Sequence, residues 1–227
     1  MAFNLGRFDS SGNPSRILWI GDSITGTFGG SVSPAVIAER LVRALFGAVA
    51  MPSLAAPFLA PIYKSPMIGQ QDGVAGRECK TIAANAGVAD APTMDAYLLP
   101  FSAPYTHAVV QLGINDSVAV QGATTTIALV GTASAMILSR LLVKKGIPGS
   151  NVLWIGPSSH PTPAIQTVTT TQIDPTIRAS CTAVGASYLT CSDLDSSATN
   201  TVDGVHPNQA GAVLWGARWA TGFTVTG

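Results

Sequence analysis

Short, wholly apolar runs alternate along the chain with longer segments whose apolar residues recur every three or four positions. Ile17 to Ile20 opens the series. Four large apolar residues in a row, halted by Gly21-Asp22-Ser23, predict a strand buried on both faces, as the inner strands of parallel sheets are. Ser33 and Pro34 predict a helix start, after which Ile37, Leu41, Ala44 and Leu45 share a face while Glu39 and Arg43 pair outside. Thr81 to Asn85 reads as a second strand and Pro92 to Leu99 as a short helix. Ala108 to Leu112 is a third strand, followed by the longest helix, Thr126 to Lys145, with Val130, Ala133, Ile137 and Leu141 along one face and Gly146 ending it. Val152 to Ile155 is a fourth strand. Asp174-Pro175 opens a helix that stops at Gly185, Ser187 to Thr190 is the fifth strand, and a last helix runs from about Asn208 with Ala212, Trp215 and Trp219 on one side.

Strand alternating with helix throughout predicts an α/β domain: a parallel sheet covered on both faces and joined by right-handed crossovers. Five strands suggest the flavodoxin-like order 2-1-3-4-5, whose switch point lies between the first and third strands. No linker or repeat divides the chain, so residues 1–227 read as one domain, with 1–15 as an N-terminal extension. Residues 51–78 read as a long connection. It leaves the first helix at the end of the sheet away from the strands' carboxyl termini, which favours an edge cover or subunit contact over a substrate lid.

That topology collects four polar clusters on one rim. Gly21-Asp22-Ser23, Asn85-Ala86-Gly87 and Gly113-Ile114-Asn115-Asp116 follow the first three strands, and Asp203-Gly204-Val205-His206-Pro207-Asn208 follows the fifth. Acyl transfer requires these parts. A serine hydroxyl is a poor nucleophile near neutrality, so an imidazole must take its proton, and a carboxylate must hold that imidazole in one tautomer. Ser23, His206 and Asp203, three residues before the histidine, supply the set. The Asn115 amide and the backbone N–H groups of Ser23 and Gly87 could receive the oxyanion. Plainer readings accompany each: Ser23 as a helix N-cap, Asn115 and Asp116 as turn formers, His160 or His107 as another base, Asp193 or Asp195 as another carboxylate.

The four blocks, in this order and at strand ends, resemble those of the SGNH hydrolases, also called GDSL esterases and lipases. The resemblance spans Gly21 to Pro207. It implies a three-layer α/β/α fold, no cofactor and no metal, Ser23 as nucleophile, Asp203 and His206 completing the triad, and Ser23, Gly87 and Asn115 in the oxyanion hole. Their neighbours Asp22, Ile24, Ile114, Asp116 and Val205 are expected to line the substrate site, and the loop Gly156 to Pro163 to shape the pocket. The activity implied is hydrolysis of carboxylic esters through an acyl-enzyme, with short-chain or O-acetyl carbohydrate esters as first choice. Lysophospholipase, thioesterase and acyltransferase chemistry are alternatives on the same site.

Composition narrows the partners. Lys and Arg number 12 against 12 Asp and Glu, scattered along the chain, which argues against nucleic acid and anionic membranes. Only 11% of residues are charged, so the surface must be largely neutral, which suits a homo-oligomer as well as a monomer. Residues 44–63 carry no charge, but Pro52, Pro57 and Pro61 interrupt them, and no membrane span is expected. No signal-peptide pattern opens the chain; a cytoplasmic protein is the default reading, an exported or virion-associated one the alternative. Cys79, Cys181 and Cys191 are odd in number, lack C-x-x-C spacing, and are expected to be free thiols. Three other functions compete. A flavin module would use Ser23 to Phe28 as a phosphate loop but leaves Asp203 to Pro207 without a role; a catalytically silent glycan-binding or structural module keeps the fold; a glycosidase has only Glu39 and Glu78 as glutamates.

Overall fold

The computed structural model describes residues 3–6, 15–25, 34–45, 68–73, 78–79 and 105–226. Its centre is a five-stranded parallel sheet of β2 (Arg16–Gly21), β3 (Ile68–Gly73), β4 (His107–Gln111), β5 (Val152–Ser158) and β6 (Ser187–Cys191), ordered β3-β2-β4-β5-β6. A separate parallel pair joins β1 (Phe3–Gly6) to β7 (Phe223–Thr226), near the two ends of the chain. The helices are α1 (Pro34–Leu45), α2 (Ile114–Gln121), α3 (Ile127–Lys144), α4 (Pro163–Val168), α5 (Asp174–Ala183) and α6 (Gln209–Ala220).

Side-chain alternation along the strands sorts the core into two layers. Leu18, Ile20, Val110 and Trp154 face the layer of α3, α4 and α5, where Val130, Ile137, Leu141, Val168 and Ile177 meet them. Ile17, Trp19, Val109, Leu153 and Ile155 face the other way, against α1 and α6, with Trp19 stacked on Trp219 at 6.3 Å between ring centroids. The result is the three-layer α/β/α arrangement. Although α3 is long and apolar enough to cross a bilayer, its Val130, Ala133, Ile137, Leu138 and Leu141 are buried against the sheet. Cys79, Cys181 and Cys191 are free and buried, as expected.

Several sequence expectations need correction. The segment 51–78 is not a connection throughout, because Ile68–Gly73 pairs with β2 in register from Arg16↔Ile68 to Gly21↔Gly73. Its sequence, IGQQDG, has no apolar run, so nothing in the pattern announced a strand. The predicted strand at 81–85 and helix at 92–99 lie outside the described residues. On α1 the described residues Pro34, Ala35, Ala38 and Val42 are buried, while Leu41, expected on the inner face, is 44% exposed. The extension 1–15 includes β1, whose Phe3 is buried edge-on against Phe223 and His107. The plainer reading of Asn115 and Asp116 as turn formers gives way to the first turn of α2, and α4, a π turn at Thr169–Ile173 and α5 follow one another directly.

Candidate active site

β2 ends at Gly21, and the chain turns at once into Asp22 and Ser23. Only glycine fits there: a Cβ at position 21 would lie 2.0 Å from Thr25 Oγ1 and 3.0 Å from the carbonyl of Gln111 on the neighbouring strand. Thr25, fully buried, donates from its hydroxyl to Gln111 Oε1 at 2.8 Å and so locks the turn to the end of β4. Asp22 closes it from inside, accepting the Ile24 N–H on Oδ1 at 2.8 Å. Ser23 is thereby held at the rim, 8% exposed.

The partner loop lies between β6 and α6. Thr201 and Pro207 form an antiparallel bridge, and the Val202 N–H donates to the carbonyl of His206 at 2.9 Å, so residues 202–206 form a closed turn. Gly204 at its apex has φ +87, and a Cβ on it would strike Pro161 at 2.7 Å. Asp203 folds back within this turn. Its Oδ1 accepts the N–H groups of Val205 (3.0 Å) and His206 (2.8 Å), and its Oδ2 lies 2.6 Å from His206 Nδ1. Across 183 residues of sequence, His206 Nε2 lies 2.8 Å from Ser23 Oγ. Hydroxyl, imidazole and carboxylate thus form one continuous hydrogen-bonded line. Burial alone would raise the Asp203 carboxyl, but the hydrogen bonds from the His206 backbone and ring and from Val205, with the nearby imidazole, outweigh it and hold the group below the usual carboxylate range.

Solved structures with the same architecture include a protein from Parabacteroides merdae described as a GDSL-like lipase (14% identity, 98% of both chains, TM-score 0.60) and the acetylxylan esterase Axe2 from Geobacillus stearothermophilus (15% identity, 92% of this chain and 94% of that one, TM-score 0.58). A third is LAE5, an α/β hydrolase from the Lake Arreo metagenome in Spain (15% identity, 92% and 95% covered, TM-score 0.61). This chain has the SGNH-hydrolase fold. No protein-family model matches the sequence, and neither does any curated protein.

Within the SGNH fold the remaining expected site residues separate into two groups. Asn115 stands in the first turn of α2, partly buried, directly after the strand-end Gly113 whose φ of +130 turns the chain from β4 into the helix. Val205 is partly buried in the turn that carries Asp203 and His206. Gly87 lies outside the described residues. Asp22, Ile24, Ile114 and Asp116 are corrected: all are at most 1% exposed and offer no surface to a substrate. Ile24 and Ile114 belong to the α1–α6 core layer. Asp116 turns inward, and its two oxygens accept the Cys79 N–H at 3.0 and 3.1 Å. Burial raises its carboxyl to about 6, against the lowering pull of the Cys79 N–H and thiol.

The rival residues have other work. His107, 5% exposed at the start of β4, is at the opposite end of the sheet, bonded to Thr106 and packed on Phe3. His160 accepts the Thr162 N–H on Nδ1 at 3.0 Å, and burial lowers its pKa. Its loop is tied down by Gln166, which accepts the His160 N–H and donates to Ser192 O, and by Ser159 bonding Leu194 O; its Pro161 supports Gly204 from outside. Asp195 caps Ser197 and Asn200, and Asp193 pairs with Arg218. No group of three or more His, Cys, Asp or Glu side chains suited to a metal occurs among the described residues. Sequence reasoning missed the Thr25–Gln111 and Asp116–Cys79 links. Their only trace was polar residues within or just after apolar strands, a pattern shared by many loops.

Proposed function

We propose that the chain is a serine esterase that hydrolyses carboxylic esters through an acyl-enzyme. The observation that carries this reading is the unbroken line Ser23 Oγ, His206, Asp203 at 2.8 and 2.6 Å on the carboxyl rim of the sheet. Ser23 Oγ attacks the ester carbonyl carbon while its proton passes to His206 Nε2, and Asp203 stabilises the imidazolium through Nδ1–H. The carbonyl electron pair moves onto oxygen, where the Asn115 amide and the N–H groups of Ser23 and Gly87 receive it. Collapse of this intermediate breaks the bond to the alcohol oxygen, which leaves with the proton held by His206. Water then enters, gives its proton to the same imidazole and releases the acid by the reverse sequence.

The alcohol is most simply a carbohydrate hydroxyl and the acyl group acetyl: the acetylxylan esterases Axe2 and AlAXEase share the fold over more than nine-tenths of this chain, which supports O-acetyl glycan esters as substrate. The test is Ser23→Ala, assayed on p-nitrophenyl acetate and on acetylated xylan, with fluorophosphonate capture followed by peptide mapping. Loss of turnover and of capture is expected. Capture at another serine, or unchanged hydrolysis, would remove the assignment.

A further inference from the structure

Asp116 poses a physical problem that the proposed function leaves open. It is a fully buried carboxylate whose neighbours are the backbone and thiol of Cys79 and the charge of Glu78, and the charge of Asp22 also acts on that thiol. Burying an ionisable acid among other acids opposes folding unless its oxygens do something a smaller apolar residue could not. Here both oxygens accept the Cys79 N–H, at 3.0 and 3.1 Å, and the Cys79 thiol bonds the same carboxylate.

The places of these residues in the chain give that contact a purpose. Asp116 directly follows Asn115, the side chain read as an oxyanion donor, and shares with it the first turn of α2. Asp22 directly precedes Ser23. Cys79, touched by the fields of both carboxylates, heads the stretch of sequence that reaches Gly87 eight residues later. The Cys79 N–H is therefore tied directly to the residue that follows Asn115. The N-cap of α2 is Gly113, which has no side chain to close the helix, and the Ser117 hydroxyl donates back to the Gly113 carbonyl.

Resting on the esterase reading, we infer that Asp116 is a positioning residue: its carboxylate clasps the Cys79 N–H and so fixes the first turn of α2, and with it Asn115, against Cys79. The group touches no substrate. It sets where the Asn115 amide stands before the intermediate forms, and a displacement of about 1 Å in such a constellation can reduce turnover on the order of 100-fold.

The test compares Asp116→Asn, Asp116→Ala and Asp116→Glu with the parent protein on p-nitrophenyl acetate, each rate divided by the number of sites captured at completion by a fluorophosphonate. Asn keeps an acceptor of the same reach. Ala removes it, and Glu keeps the charge but moves it by a methylene. The inference expects kcat per captured site within about fivefold of the parent for Asn, and on the order of 10–100-fold lower for Ala and Glu, with KM changed by less than about threefold in all. A purely structural role would lower the captured fraction and the melting temperature while leaving kcat per captured site unchanged, and that result overturns the inference. So does an Asn variant as impaired as Ala. Should Ala fail to fold, the contrast between Asn and Glu decides. If the parent itself shows no Ser23-dependent hydrolysis or capture, the esterase reading falls and this inference with it; if the parent is active and only the Asp116 series is flat, the esterase reading stands alone.

Discussion

Replacing Asp203 by Asn tests the triad most directly, because the surrounding turn dictates how the amide must sit. The N–H groups of Val205 and His206 both point at Oδ1 and require an acceptor, so the amide oxygen takes that place and the Asn Nδ2 faces His206 Nδ1. Two donors cannot share that contact, so Nδ1 loses its proton and the neutral imidazole carries it on Nε2, the atom 2.8 Å from Ser23 Oγ. The base then presents a hydrogen where it needs a lone pair. The lost charge adds to this. At about 4 Å between charge centres, carboxylate and imidazolium attract by about 1 kcal/mol in water and about 4 kcal/mol at an effective dielectric of 20. Asp203 has a side chain 46% exposed, so solvent screening places the value toward the lower figure. Charge and tautomer together predict a fall in kcat of about 10²–10⁴-fold, the upper end being what the same change does in a fully buried triad. Initial rates on p-nitrophenyl acetate, with thermal melts to show an intact fold, measure it. A variant within about threefold of the parent would refute the relay.

Two further predictions concern stability. The Asp116 carboxyl is raised from 3.8 to about 6, so the folded state holds this proton more tightly than the unfolded state: the stabilisation is fully present below about 3.8 and is lost as pH rises through about 6. The change is on the order of 3 kcal/mol, and Asp116→Asn should remove it, so the difference in melting temperature between parent and variant should widen in the variant's favour from pH 4.5 to 7.5; parallel curves would contradict the assignment. Trp219→Ala removes a ring that is 2% exposed and stacked on Trp19, and should cost about 3–5 kcal/mol. At about 2–4 °C per kcal/mol for a chain of this size, a calorimetric shift under 3 °C would show that the α6 layer repacks around the loss.

The alternation of apolar runs with helical periodicity was enough to read an α/β domain, because strands buried on both faces must be apolar and their covering helices must be amphipathic. Two of the polar blocks were visible for the same reason: Gly21-Asp22-Ser23 and Gly113-Ile114-Asn115-Asp116 follow the apolar runs of β2 and β4. The helix starts near Thr126 and Asn208 were legible too, and the structure shows both side chains as caps, accepting the N–H groups of Leu129 and Gly211 at the starts of α3 and α6. What the sequence could not carry were elements made by pairing alone. β3 is polar and glycine-containing, and β1 and β7 join residues 3–6 to 223–226; backbone hydrogen bonds across such distances leave no period in the side chains. The same limit applied at the site. The sequence placed Asp203 near His206, because three residues in a turn cannot be far apart. Only the tertiary structure brought Ser23 within 2.8 Å of that histidine, and only it turned Asp116 inward toward Cys79, because the direction of a side chain beside a strand end is decided by what packs behind it.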